Sequence, residues 1–373
     1  MTLFFLLLLF QVAPVFCNLL EDDLQPQFFD INIDREHPEK IYKEFEDFVV
    51  KYKKHYKDDV EKRMRFNHFV KAHNQIGRLN SAMKNSKYDT KFGINKFADL
   101  SAQEFKSTVS QVPPGNYSNL PLFQNVKLKR SKRQLDNMPE KFDLRSKKIG
   151  GRYIIGEVKN QGHCGCCWAF AATGVSEVAM SVHLKKTVSL SDQEVCDCGA
   201  TKTPGCIGGD PTLGLQYIAE YGQLIEDEYP YVDGRSNKLG NCAASGYSKE
   251  LLAHSLQFYR IDPYNSEYDI MRHLYILNVP VAVAFRIGEA FKYVTGGILE
   301  REDCDDEKER VWHSATIVGW GRSVNKKGRN VDYWILKNSW GDWGEDDSGY
   351  VRIVRGMNWC DMESHGVGGH IPE

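Results

Sequence analysis

Gln161-Gly-His-Cys164-Gly-Cys166-Cys167-Trp168-Ala-Phe170 packs a side-chain amide, three cysteines and aromatic rings into ten residues. It stands before a segment, Cys166 to His183, that has few strand formers and places Trp168, Phe170, Val175, Val178 and Val182 for burial on a helix. A thiol at the start of a helix lies in the positive end of the helix dipole, which favours thiolate over thiol. The stretch predicts a nucleophilic sulfur near neutral pH, with Cys164, Cys166 and Cys167 competing for the role. The alternative, a zinc or iron–sulfur site that adds Cys196, Cys198 and Cys206, needs reduced cysteines and lacks paired Cys-x-x-Cys knuckles.

A thiolate needs a base that also protonates a leaving amine, and histidine alone titrates in that range unaided. His163, His183, His254, His273, His313, His365 and His370 are the candidates. His313 stands out, because Trp312-His313-Ser-Ala opens an apolar strand running into Val318-Gly-Trp320-Gly321, 146 residues after Cys167. Further on, Lys337-Asn338-Ser339-Trp340-Gly341 places a side-chain amide beside the indoles of Trp340 and Trp343. An Asn that accepts the imidazole N–H fixes the ring's tautomer and orientation.

Helical signals continue to Cys242, and beyond about Ser255 the character changes. Val279–Phe285, Ser314–Gly319, Tyr333–Lys337 and Gly349–Val354 are short, β-branched or aromatic, and bounded by Gly, Asn and Asp. They predict a mainly antiparallel sheet or barrel. A helical half followed by a β half gives an α+β architecture with a cleft between the two.

The apolar run Leu3–Phe10 is too short to cross a bilayer and acidic residues follow at Glu21, so residues 1–17 read as a secretory signal peptide rather than an anchor. A net charge of -2 argues against a nucleic-acid or polyanion binder. Of ten cysteines, nine remain after Cys17 and all follow Gly162, which predicts disulfides in a secreted C-terminal domain. Ile41, Phe45, Phe48, Val49 and Tyr52 make one helical stripe, and Phe66, Phe69, Ile76 and Leu79 a second. The pattern breaks at Val112-Pro-Pro-Gly-Asn116, and Asn116-Tyr-Ser118 is a glycosylation acceptor. Arg130-Ser-Lys-Arg133 divides the cysteine-free region from the cysteine-rich one and reads as a convertase site, leaving a product from about Gln134.

With these residues in place the chain resembles a papain-family cysteine protease zymogen of the cathepsin L-like branch. Glu61, Arg65, Phe69, Ile76 and Asn80 fall in the register of that branch's inhibitory helix, with Ala72 where Asn is usual. Gly93-Ile-Asn95-Lys-Phe97-Ala-Asp99 matches its second propeptide motif. The resemblance implies a two-lobed fold, a helical lobe plus an antiparallel β-barrel lobe, behind a helical inhibitory prodomain. Its boundaries fall at residues 18–133 for the propeptide and 134–373 for the peptidase domain.

By motif, the resemblance makes Cys167 the nucleophile, His313 its ion-pair partner and acid/base, Asn338 the orienting group, and Trp340 a shield against water. Gln161 and the Cys167 backbone N–H form the oxyanion site. Gly208-Gly209 binds an extended substrate as an added strand. The pocket for the second substrate residue upstream of the cut takes Asp210, Pro211, Ala284, Val311 and Ser314, with His365 at its floor. An Asp at the lip and a His at the base favour polar or small residues there, or a preference that changes with pH.

The resemblance pairs Cys164 with Cys206, Cys198 with Cys242 and Cys304 with Cys360. Cys166 and Cys196 are left as a fourth bridge or as two buried thiols. No cofactor or metal is implied. The partners are polypeptide substrates, the chain's own propeptide and cystatin-type inhibitors, and the expected form is a monomer in lysosomes or outside the cell. The tight Cys198–Cys206 spacing argues for endopeptidase action. Competing readings are an exopeptidase of the same family and a catalytically silent binding relative.

Overall fold

The computed structural model describes residues 38–84, 89–126, 138–199, 205–232, 234, 240–244, 254–300 and 311–372. The predicted signal peptide, the Arg130–Arg133 site and Cys304 lie outside them. The chain divides into two compact units, Met1–Asn74 and Gln75–Glu373.

In the first unit, helix α1 (Pro38–Lys51) carries the first predicted stripe from Ile41 to Val49, with Tyr52 just past its end, and α2 (Asp59–Met83) carries Phe66 and Phe69 of the second, whose Ile76 and Leu79 follow in the second unit. Phe45, Phe48, Phe66 and Phe69 are buried, and their rings interlock at 5.2–5.4 Å between Phe48 and Phe69, Phe45 and Phe66, and Phe45 and Phe69. Offset and edge-on contacts of this kind add to the burial itself. On the outside, Arg65 pairs with Glu61 one turn earlier at 3.3 Å.

The second unit begins with the end of α2. Asn80 exchanges two hydrogen bonds with the backbone of Phe92 in β1 (Lys91–Phe92), at 2.9 and 3.1 Å. A short helix α3 (Ala102–Lys106) follows, closed by a Ser101–Glu104 capping box. Three helices then build one side of the unit: α4 (Cys167–Leu184), α5 (Asp192–Cys198) and α6 (Pro211–Tyr221). Helix α4 is rich in alanine and buried over most of its length, with Val182 only half-buried near its end. At Gly174 a Cβ would sit 3.2 Å from Thr316, so the helix lies close against the sheet.

The rest is mostly sheet. Short pairs β2 (Phe142–Asp143), β3 (Lys148–Ile149) and β4 (Arg152–Tyr153) precede α4. Then come β5 (Gln257–Arg260), helix α7 (Ser266–Leu277), β6 (Val281–Ile287), helix α8 (Glu289–Tyr293), β7 (Val294–Gly296) and β8 (Ile298–Leu299). Last are β9 (Val311–Val324), β10 (Asn330–Lys337), β11 (Tyr350–Val354) and β12 (Gly366–His370).

The main sheet runs β5-β12-β6-β9-β10-β11-β8, antiparallel except for the β11–β8 pair, with β2 added on β9. The predicted strand Ser314–Gly319 is thus the middle of a longer strand, β9, which pairs with β6 from Val311 to Ile317 and with β10 from Thr316 to Val324. It is buried on both faces there, with Ser314 and Thr316 as buried polar residues among Ala315, Ile317 and Val318.

Candidate active site

Cys166 occupies the N-cap of α4 and Cys167 its first turn. The loop before it has little regular structure and is held by cross-links. Cys164 bonds to Cys206, Cys166 to Cys196, and Cys198 to Cys242, which resolves the open question about Cys166 in favour of a bridge. Cys360 is also disulfide-bonded. Among the described residues, Cys167 is the free thiol. The sulfurs of Cys164, Cys166, Cys196 and Cys206 gather within 4.8 Å, but as two bridges and not as four thiolates.

His313 comes from β9, opposite Phe285 of β6. Its Nε2 lies 2.7 Å from Asn338 Oδ1, at the end of β10. With Nε2 donating its proton to that oxygen, Nδ1 is left as the lone-pair nitrogen, and it is buried without a hydrogen-bond partner. The Asn338 oxygen also accepts the Ser339 N–H at 2.8 Å, which fixes the amide. Trp340 lies over the imidazole at 4.6 Å and is 1% exposed, so the His313–Asn338 bond is dry.

Gln161 reaches the same place from another direction. Its backbone N–H donates to Ser339 O at 2.8 Å, and Gly341 N donates to Lys159 O at 3.0 Å, so the segment is stitched to the loop after β10. The Ser339 hydroxyl donates to Gln161 Oε1 at 2.5 Å. That bond turns the amide so that Nε2 donates outward, to Cys164 O at 2.7 Å and to Thr108 O at 3.1 Å. A side-chain N–H aimed at a peptide carbonyl is what an oxyanion site requires.

Thr108 belongs to a strip of chain that covers the site. Ser110 forms an antiparallel bridge with Trp312, and Gln111 N donates to Ile207 O at 2.9 Å. Bare backbone is essential beneath it. At Gly165 a Cβ would stand 2.6 Å from Val109 O, and at Gly208, φ +139°, it would collide with the Ser110 hydroxyl. Upstream, Phe97 and Phe105 pack edge-on to Trp340 at 5.0 and 5.8 Å, and Asn95 Nδ2 donates to Lys292 O at 2.6 Å.

Covering the site reverses one sequence expectation. Burial pushes the Cys167 thiol up, to about 11, against backbone hydrogen bonds from Ser314, Ser110 and Trp168. Burial also drives His313 down, to about 4, against its bond to Asn338. In this covered form the pair is neutral thiol and neutral imidazole, because loss of water outweighs the helix end.

The other expected positions are placed as follows. Gly209 lies so close to Trp168 that a Cβ would come within 2.6 Å of the indole. Asp210 is the N-cap of α6, accepting from Thr212 N at 2.7 Å, and Pro211 is the first helical residue. Ala284 pairs with Ser314 across β6 and β9, and Val311 opens β9 opposite Ile287. His365 is half-buried between Trp312 and Tyr117, at 5.6 and 5.9 Å. Asn116 is exposed and caps a single 3-10 turn.

Sequence reasoning missed Ser339, Thr108 and a buried charge cluster behind the site. Lys159 Nζ meets Asp192 at 2.6 Å, Glu177 at 3.4 Å and Glu226 at 3.5 Å. These carboxylates hold the ammonium well above the usual lysine range against desolvation. Beside it a cavity of about 30 Å³ is lined by Glu177, Asp192, Thr316, Lys337 and Asn338, enough for one water. The signal available was two residues' distance, from Lys159 to Gln161, and it names no partner.

The geometry has its counterpart among known proteins. The papain family cysteine protease domain matches residues 138–370, and the cathepsin propeptide inhibitor domain (I29) matches residues 45–105. Cysteine proteinase 2 of Zea mays is 32% identical over 322 residues, 85% of this chain and 81% of that protein. Thiol protease aleurain of Arabidopsis thaliana is 33% identical over 325 residues, 85% of this chain and 80% of that one. The solved structure of digestive procathepsin L 3 from the Tenebrio molitor larval midgut superposes with a TM-score of 0.70 at 28% identity, covering 88% and 99% of the two chains.

The chain belongs to the papain family of cysteine proteases. It is a zymogen, carrying its own propeptide inhibitor domain ahead of the peptidase domain. Among the described residues no helix is long and apolar enough to cross a membrane.

Proposed function

We propose that residues 134–373 are an endopeptidase in which Cys167 and His313 cleave peptide bonds through an acyl-enzyme. The observation that carries this reading is the 2.7 Å His313–Asn338 bond together with the unpartnered Nδ1. When the cleft is wet, Nδ1 takes the Cys167 proton and the thiolate attacks the scissile carbonyl. Gln161 Nε2 and the Cys167 N–H hold the developing oxyanion. The imidazolium returns its proton to the leaving amine, and His313 then draws a proton from the water that hydrolyses the thioester.

Asn338 keeps the ring in one tautomer through both half-reactions, and Trp340 keeps that bond dry. Gly208 and Gly209 give the extended substrate backbone its close approach, and the pocket of Asp210, Pro211, Ala284, Val311, Ser314 and His365 takes the second residue upstream of the cut. The chain enters the secretory pathway on residues 1–17, is cut after Arg133 or in acid, and acts as a monomer in lysosomes or outside the cell. Cystatin-type proteins are its inhibitors. Asn116, exposed at the surface, is the glycosylation site.

The test is direct. Cys167→Ala is expected to lower kcat by about 10⁴-fold or more and to abolish labelling by an epoxide thiol-protease inhibitor. Full peptidase activity in that variant would remove the assignment.

A further inference from the structure

The covering strip does more than block the nucleophile, because its Tyr117 fills a recess beside the cleft. Its ring is buried in the cluster that contains Trp168 and Leu215, and it stands edge-on to His365, 5.9 Å away with planes at 86°. Its hydroxyl donates to Asp210 Oδ1 at 3.1 Å.

Asp210 is itself 4% exposed. Oδ1 also accepts from Thr212 N and Thr212 Oγ1, both at 2.7 Å, and Oδ2 accepts from Gly115 N. The Thr212 bonds belong to α6 and stay when the propeptide leaves. The Tyr117 and Gly115 donors go with it. What is left is an apolar recess with a carboxylate at one end that keeps its Thr212 donors and has lost the other two.

We propose that Asp210 is a specificity-determining residue through which this recess selects tyrosine over phenylalanine as the second substrate residue upstream of the cut. The proposal rests on the peptidase reading above and names the substrate side chain of that site. A phenylalanine buries the same ring but withholds the charge-assisted bond that Oδ1 accepts from a phenol beside its Thr212 donors, and sites built around a hydroxyl reject the analogue that lacks it. Burial and the neighbouring Asp210 charge push the Tyr117 phenol well above its ordinary range, so it stays a proton donor there. A flexible basic side chain answers the charge but not the apolar wall and the edge of His365.

The experiment uses mature enzyme released from the full-length zymogen and counted by epoxide titration. Fluorogenic peptides differing only at that position, with Tyr, Phe, Leu or Arg, are compared by kcat/KM. Tyrosine is expected to exceed phenylalanine by about 10- to 100-fold. Asp210→Ser keeps a good N-cap for α6 but is too short to reach the phenol. In it the Tyr-to-Phe ratio is expected to fall to near one.

Equal or better cleavage after Phe, Leu or Arg in the wild type overturns the proposal, as does an unchanged ratio in Asp210→Ser. A reading without turnover comes from synthetic peptides of residues 107–126, with Tyr117 or Phe at that place, bound to mature Cys167→Ala protein. The Phe peptide is expected to bind at least about tenfold more weakly, and equal affinity overturns the proposal. Absence of both labelling and cleavage with a retained affinity difference counts against the peptidase reading alone.

Discussion

The side of the molecule that carries Cys167 and the side that carries His313 are held in different ways. Cys167 follows an irregular loop, and around it run three disulfides spanning 42, 30 and 44 residues of sequence. His313 sits on β9, paired with Phe285 of β6, inside a shell of Phe285, Phe291 and Trp340 at 4.6–5.7 Å. Trp343 and Trp359 back that shell at 4.9 and 6.0 Å from Phe291. A loop has no ladder to hold it, so covalent links restrict the alternatives open to it. A strand is held by its neighbours and needs only a dry environment for its polar tip. The Cys167 side therefore depends on its three cross-links more than the His313 side depends on the bonded Cys360, and the His313 side is the one exposed to acid.

The largest effect tests the dry tip. Asn338→Ala leaves the strand intact but frees the imidazole, and is expected to lower kcat by about 10²- to 10⁴-fold with KM little changed. Parallel losses in thermal stability of several degrees would instead mean that the amide is mainly a fold element.

The next tests the cross-links. Replacing Cys166 and Cys196 by serine together is expected to cost about 2–4 kcal/mol of unfolding free energy in urea titrations. Hydrogen exchange should quicken in α4 and α5 and stay slow in β6, β9 and β10. Uniform loss of protection across both sides would break the comparison.

The smallest concerns acid. Burial holds His273 at about 3 and His313 at about 4, so both are neutral in the folded chain. Unfolded, they take up protons near 6.5. A lowered folded value means that their stabilisation is complete above about pH 6.5 and is lost as pH falls towards 4. Unfolding free energy measured from pH 7.5 to 4 should decline below 6.5, and His273→Gln should remove about one proton from that slope. An unchanged slope would show that the acid response lies elsewhere.

The architecture was legible wherever periodicity and local chemistry agree. The stripe on α1, the alanine-rich α4 and the β-branched runs of the second half each declare their own partners. Cys167, His313 and Asn338 could be singled out because their residue types are rare together at that spacing, and the structure joins His313 to Asn338.

What stayed hidden depends on contacts across the chain. Thr108 and Gln161 are separated by 53 residues, Tyr117 and Asp210 by 93, and Ser339 and Gln161 by 178. Nothing in Thr108 or Ser339 marks them, since their value lies in one carbonyl and one hydroxyl. The thiolate expectation does not hold in the covered form, for a related reason. The helix end acts locally, whereas the water that sustains a charge is removed by residues far upstream.

The hydrogen bond from Gln161 to the Thr108 carbonyl means that the first peptide this enzyme holds is part of itself. In the same covered site the Cys167 thiol keeps its proton because the site is dry. Dryness thus serves as the safety catch.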